Sequence, residues 1–403
     1  MPWTVRTILI ITVIGVLLEL YVALKIINAL ASVTSWPRKL IRVSALAVLL
    51  WFILYPLALV TSYYLEIGSV SRALQSADML TDKLLIYPFW TGIIFSAQVS
   101  QPLILMDAAR LILFPVYRRN KQRWRRIQGT AVIIIVCFGF LYVIARIYSD
   151  TFTVRVRQTE TRIGNLPDSL DGFRIVQIAD VQMDARTNGS KLETFIDRVN
   201  SLDPDLILVC GDLVTSGTGY IDSAAAAMGR LKATRSTYAC LGDHDFFSDS
   251  TRVMSSLQKN GVTVLDNAVA VVEKDGALIS ITGITNVYRT RASEDVIRKL
   301  EEQRNGEAVN ILLTHQPSDW LVKRAEENHY DLFLAGHTHG GQIAFPLPGF
   351  LLTGSSFETP YVSGFYRAGS MFVSVTNGLG LTLAPVRYNA PAEITLITLR
   401  GNK

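Results

Sequence analysis

Apolar residues fall along this chain in two regimes. Over the first 150 residues they form long unbroken stretches; beyond that they form short runs closed by glycine or a charged side chain. A helix needs about 20 mostly apolar residues to cross a bilayer core. Thr7–Leu30 is apolar apart from Glu19, Lys25 and Asn28, and Val43–Leu65 has no charge and carries Trp51, Phe52 and Tyr55. Leu84–Met106 is weaker, interrupted by Pro88, Gly92 and Pro102, and Thr130–Ile144 continues its apolar character to Tyr148. The prolines of the third stretch allow a kink or a re-entrant turn. A cleaved export signal ends in a small-residue cleavage site, which the first stretch lacks. The pattern predicts an α-helical membrane domain of about four spans over residues 1–150.

Composition sharpens that division. Hydrophobic residues make up 49% of the 403 positions and charged residues 18%, against about a quarter charged in soluble domains. The net charge of +5 splits into +9 over residues 1–150 and −4 over residues 151–403, and all five histidines lie in the second part. The basic excess therefore belongs to the hydrophobic region and is not a nucleic-acid footprint. Three cysteines are too few for a disulfide scaffold, and the apolar content excludes a disordered chain.

Loop charges orient the spans. Arg38, Lys39 and Arg42 follow the first, and Arg118, Arg119, Lys121, Arg123, Arg125 and Arg126 follow the third. The loop between the second and third is balanced, with Arg72 and Lys83 against Glu66, Asp78 and Asp82. Cytoplasmic loops attract Lys and Arg, which puts both ends of a four-span domain, and residues 151–403 with them, on the periplasmic or extracellular side. The basic run can also bind anionic headgroups. Glu19 and Asp107 are ionisable groups within spans; such residues mark transport paths or, more often near helix ends, pair or snorkel.

From Thr151 onward the short runs read as buried strands. Phe173–Ala179, Leu206–Cys210, Ser236–Leu241, Leu278–Thr282, Asn310–Thr314 and Leu332–Ala335 are apolar and rich in β-formers. Helical patterns at Lys191–Leu202, Ile221–Lys232 and Glu294–Gln303 lie between them. Such alternation indicates a buried sheet flanked by helices. Asp180, Asp212, Asp243-His244, His315 and His337 each follow one of these strands. Ligands of open α/β sheets gather beyond the carboxyl ends of strands. One Asp after a strand is an ordinary helix cap; several strand ends delivering carboxylates and imidazoles together point to divalent metals such as Mn, Fe or Zn. Two such ions about 4 Å apart can clamp both oxygens of an in-line displacement.

At this point the sequence resembles the calcineurin-like metallophosphoesterases, in their membrane-anchored bacterial branch. The family pattern is D-x-H, GD, GNH(D/E), a lone His and GH-x-H. This chain reads Asp180-Val181-Gln182, Gly211-Asp212, Gly242-Asp243-His244-Asp245, His315 and Gly336-His337-Thr338-His339. The segments Tyr361–Gly364, Gly378–Gly380, Pro385-Val386-Arg387 and Glu393-Ile394-Thr395 also look like that branch. The resemblance implies a four-layer αββα sandwich and metal-dependent hydrolysis of a phosphate ester or pyrophosphate, with hydroxide bound to metal as nucleophile. By matching position, Asp180 and His339 would hold one metal, Asp212 would bridge, and Asp243, His315 and His337 would hold the second. His244 would act on the phosphoryl group, and Asp245 would be its partner, fixing its tautomer.

Two positions depart from the family. Gln182 replaces a His ligand, and Asp243 replaces the usual Asn. A Gln carbonyl is a weaker, harder donor than imidazole, which shifts preference from Zn or Fe toward Mn or Mg. The added carboxylate strengthens cation binding and repels an anionic ester. The changes describe either a retuned enzyme or a degenerate domain that binds a phosphorylated ligand as receptor or scaffold. A transporter with an appended domain is the third class, resting on Glu19, Lys25 and Asp107 alone. Asp184 and Asn377 read as loop and turn residues, His329 as a surface residue, and Arg387 as a phosphate contact or a partner of Glu393. Cys210 and Cys240 read as free thiols on neighbouring strands, although an exported domain permits a disulfide. The expected partners are the membrane and a phosphate-ester substrate, with a lipid-linked ester attractive for an enzyme held at a bilayer; no nucleic acid is expected. The orientation has a direct check. A reporter enzyme active only in the cytoplasm, fused after Lys403 in a bacterial host, should stay silent; strong activity would reverse the assignment.

Overall fold

A computed structural model describes residues 3–68, 79–113, 120–304, 306–347 and 349–401. Arg72, Asp78, Arg118 and Arg119 lie outside the described residues. The chain divides into two compact units: residues 1–148 with 383–388, and residues 149–382 with 389–403.

Among the described residues of the first unit, four helices are long and apolar enough to cross a membrane. They run Trp3–Val33, Arg38–Tyr64, Asp82–Ile112 and Lys121–Phe152. The third stretch is a continuous helix rather than a re-entrant loop. It begins as a π-helical turn, Asp82–Ile86, and Pro88 follows directly after that turn. It is also the most enclosed span, 44% buried against 17–22% for the others. Gly92 is part of that packing, since a Cβ there would lie 2.6 Å from the Phe52 ring. Asp107 is paired with Lys25 and accepts from Tyr21 Oη at 2.8 Å, so it behaves as an internal ion-pair partner rather than a free charge.

The second unit is built on two six-stranded sheets. One has the order β1 (Val154–Ile163), β14 (Ala392–Gly401), β2 (Arg174–Ile178), β3 (Leu206–Cys210), β4 (Ser236–Cys240), β5 (Thr263–Val264). The other has β12 (Gly364–Ala368), β13 (Met371–Val375), β9 (Leu332–Ala335), β8 (Val309–Leu313), β7 (Ala277–Gly283), β6 (Ala268–Lys274). Strands β2 to β5 are mutually parallel, as are β13, β9, β8 and β7.

Side-chain alternation explains the layers. Ile175, Leu206, Leu208, Ile311 and Leu313 enter a core shared by the two sheets. Their neighbours Val176, Ile207 and Val209 pack outward with Phe195, Ile196 and Val199 of the helix Gly189–Asn200. Leu312 packs outward on the other side with Leu321 and Val322 of the helix Asp319–Glu327. Strands buried on both faces read as continuous apolar runs, which is why these are plain in the sequence. The result is the expected αββα sandwich. The helix from Ile221 ends at Met228 rather than Lys232; Gly229, which follows, lies against the backbone of Asn260, where a Cβ would meet the carbonyl oxygen at 2.6 Å.

One polar residue ties the sheets together below the strand ends. Gln177 on β2 donates Nε2 to the Ala335 carbonyl of β9 at 2.8 Å and accepts from Ser374 Oγ of β13 at 2.6 Å. It is fully buried. Gln177→Ala would leave the buried Ser374 hydroxyl without its partner and take one of two donors from the Ala335 carbonyl, costing about 2 kcal/mol. We expect the heat-denaturation midpoint of the full chain to fall by about 5 °C; an unchanged midpoint would refute the tie.

Candidate metal centre

The strand ends converge as the topology requires. β2, β3 and β4 of one sheet release Asp180, Asp212 and Asp243; β8 and β9 of the other release His315 and His337. Backbone conformation makes this possible. Asp180, Gln182, Asp212, His337 and His339 all have φ between +48° and +71°. Left-handed residues turn the chain sharply at a strand end and cost about 1–3 kcal/mol each unless the surroundings enforce them. Gly211, at φ +80°, enforces one turn: a Cβ there would lie 2.6 Å from the Gly242 nitrogen and 2.9 Å from His315 Nδ1.

Two groups of donors result. Asp243, His315 and His337 form one, and Asp180, Asp212 and His315 the other, the donor atoms of each within 4.8 Å of one another. His337 Nδ1 is 3.0 Å from Asp243 Oδ2, and His339 Nε2 is 3.5 Å from Asp180 Oδ1. The His337 amide also donates to Asp180 at 3.0 Å. His315 is fully buried. Its Nδ1 lies 2.7 Å from the Cys210 carbonyl, which can only accept, so Nδ1 carries a proton. Nε2 then faces Asp212 Oδ2 at 3.4 Å and Asp243 Oδ2 at 3.3 Å, with no hydrogen bond of good geometry. A lone pair cannot rest against two carboxylates without a cation. Either a proton or a metal must sit there.

The two unusual residues are built into this arrangement. Gln182 is fully buried and donates Nε2 to Asp212 Oδ2 at 2.8 Å, leaving its Oε1 without a partner. An orphaned buried amide oxygen beside a carboxylate suits a hard cation. Asp243 accepts from the Tyr288 amide at 2.6 Å and from Gln316 Nε2 at 2.8 Å. Those donors give its added charge a place that a neutral Asn could fill only in part. Gln316 is missed by a sequence reading, though it sits directly after His315. Glu358 is missed as well. It lies 3.5 Å from His337 Nε2 and accepts from Tyr288 Oη, yet it follows no strand.

Asp245 requires a correction. It is not the partner of His244. Its carboxylate accepts from the amides of Gly242, Asp212 and Leu213 at 2.9–3.0 Å, as the third residue of the helix Asp243–Ser248. It locks the turn after β3 to the turn after β4. His244 Nδ1 instead meets the Thr215 carbonyl at 2.5 Å, and its amide donates to Asp212 Oδ1 at 2.8 Å. The tautomer is therefore fixed by a backbone carbonyl, with Nε2 left to act.

Other residues are taken up in local structure. Asp184 caps its own loop through the amides of Arg186 and Thr187, and His329 is exposed. Asn377 accepts from Ser363 Oγ and donates to the Pro391 carbonyl. Arg387 is buried and belongs to the first unit. Glu393 pairs with Arg157 at 2.7 Å. Cys210 and Cys240 are register partners on β3 and β4 and remain free thiols. Burial pushes the Cys210 thiol up to about 12.

The calcineurin-like phosphoesterase profile matches residues 173–341. An uncharacterised metallophosphoesterase of Bacillus subtilis (strain 168) is 30% identical over 259 residues, covering 63% of this chain and 88% of that protein. A transmembrane protein with a metallophosphoesterase domain from Danio rerio is 33% identical over 259 residues, 61% of this chain and 57% of that protein. Among solved structures, a phosphopantetheinyl hydrolase from Mycobacterium tuberculosis aligns with 52% of this chain and 91% of its own at 10% identity, with a TM-score of 0.34. The chain belongs to the calcineurin-like phosphoesterase family.

Protons and any bound cation would compete for this site. Burial raises Asp180 to about 7. Burial pushes His337 down, but Asp243 and Glu358 outweigh it and hold it near 9. A group whose folded pKa is raised contributes stability fully below its unfolded value and loses it as pH climbs through the folded value. The windows run from 3.8 to about 7 for Asp180 and from 6.5 to about 9 for His337. Metal-free protein should lose stability as pH rises, while metal binding, which needs deprotonated ligands, strengthens. The gap in denaturation midpoint between Mn-loaded and chelator-treated protein should therefore widen from about pH 5 to about pH 9. A constant or shrinking gap would contradict this account.

Proposed function

We propose that this chain is a membrane-anchored, metal-dependent phosphoesterase whose second unit works on the periplasmic or extracellular side. The observation that carries the reading is His315 Nε2, a buried imidazole nitrogen aimed at two carboxylates with its other nitrogen committed to the Cys210 carbonyl. Asp243, His315 and His337 would hold one divalent cation. Asp180, His339 and the Gln182 oxygen would hold a second, with Asp212 shared. The donor set fits: three carboxylates, three imidazoles and a neutral oxygen, mostly buried. Two divalent cations there would supply Lewis acidity toward phosphoryl oxygen and lower the pKa of a water nucleophile.

The chain's own residues do the remainder. His244, half-buried at the edge of the cluster, is anchored to Asp212 through its amide and to Thr215 through Nδ1. In the doubly protonated ring its Nε2 can donate to a phosphoryl oxygen or protonate the departing alkoxide. Asp245 and Gln316 position ligands without touching substrate. Gln182 and Asp243 favour the harder cations Mn or Mg over Zn. The substrate class that best fits an anchored enzyme is a phosphate ester or pyrophosphate carried by a lipid.

The test is a screen of phosphate esters with the full chain in lipid nanodiscs, supplemented in turn with Mn, Mg, Fe and Zn. His244→Ala should lower kcat by roughly 10²–10⁴-fold with metal content unchanged. His337→Ala should lower both. If the natural protein binds the cations but releases phosphate from no ester, it is a binding domain and the hydrolytic reading fails.

A further inference from the structure

The segment after the His337–His339 pair has no charged residue from Gly340 to Phe357. Within it, β10 (Phe345–Leu347) and β11 (Phe350–Leu352) pair antiparallel, with Phe345 opposite Leu352 and Leu347 opposite Phe350. Side chains directly opposite each other point to the same face, and alternate residues share it. One face of the hairpin is therefore wholly apolar. Phe350 is 58% exposed, Leu352 38%, and Phe357, in the turn Ser355–Phe357, 85%. Exposed apolar clusters of this kind mark contact surfaces.

The base of the hairpin is fixed to the metal-bearing loop. Ser355 Oγ donates to the Thr338 carbonyl at 3.0 Å, and Thr353 is packed so closely on Gly341 that a Cβ there would lie 2.4 Å from it. Glu358, next to Phe357, reaches His337. The apolar face is thus held in place beside the candidate centre.

We infer that this hairpin, together with Phe357, docks into the interfacial layer of a lipid bilayer. Three observations select that occupant. The same chain carries four helices fit to cross a membrane, and only Thr153 separates the last of them from β1, so a bilayer is always within reach. No charged residue lies within the hairpin or between it and Phe357, whereas protein contacts carry a charged and polar rim. Pro346 removes a backbone donor from β10, which disfavours addition of a partner strand. Docking does not depend on turnover. Under the phosphoesterase reading, on which this sentence rests, it favours amphiphilic esters presented by the membrane over esters free in solution.

The experiment uses the full chain with Cys137→Ala, which removes the exposed thiol and leaves only buried ones. Single variants Phe350→Cys, Phe357→Cys and Lys299→Cys, the last on an exposed helix face, are nitroxide-labelled in phosphatidylcholine–phosphatidylglycerol vesicles. Labels at 350 and 357 should be open to oxygen and lose access to a water-soluble nickel chelate, with the reverse at 299. Nickel access at 350 and 357 equal to that at 299 would overturn the inference. So would protection from both reagents, which would mean that protein covers the hairpin. Neither readout involves hydrolysis, so its failure is distinct from a failure of the proposed activity.

Discussion

Three carboxylates, those of Asp180, Asp212 and Asp243, are held in one buried cluster at the ends of three adjacent strands. Like charges so confined repel, and low dielectric magnifies the effect. Only positive charge delivered to the same spot relieves it. Much of the second unit can be understood as the framework that keeps this unfavourable arrangement intact. The imidazoles of His315 and His337 come from the facing sheet, so the neutralising partners arrive only when both sheets are stacked. Assembly of the sandwich and completion of the cluster are one event.

Several devices hold the geometry. Gln177 bonds β2 to β9 and β13 inside the shared core. Asp245 gathers three amides from two consecutive turns. Burial and repulsion from Asp212 raise Asp245 to about 7, so the carboxylate that organises the turns is itself under electrostatic stress. Asp243 is different. Burial pushes it up, yet the imidazoles of His315 and His337 beside it hold it well below the usual carboxylate range. The residue that departs from the family pattern is thus the best compensated of the three.

Much of this was legible because buried parallel strands announce themselves. Leu206–Cys210 and Leu332–Ala335 have the bounds that their apolar runs predict, and each donor follows its strand directly. The edge strands were not legible. β1 reads Val-Arg-Val-Arg-Gln-Thr-Glu-Thr-Arg-Ile, half solvated and rich in charge, so it shows no apolar run. Glu358 and Tyr288 approach His337 from loops, where no periodicity constrains position. Asp245 was visible in the sequence but misread, because adjacency to His244 suggests a side-chain pair while helical geometry turns it toward the preceding turns. The apolar hairpin was hidden for the opposite reason: its residues look like core, and only the fold leaves them uncovered.

The left-handed residues at the strand ends carry a consequence for how this protein can change. Asp180, Gln182, Asp212, His337 and His339 combine backbone strain with crowded polarity, and asparagine or glycine would tolerate the same torsion angles with less strain and less charge. Laboratory evolution for ruggedness alone would drift toward those replacements, yielding sturdier descendants in which the cluster of donors is dismantled. Fragility at these five positions is what the fold accepts to keep the cluster assembled, since by itself it would be better off without them.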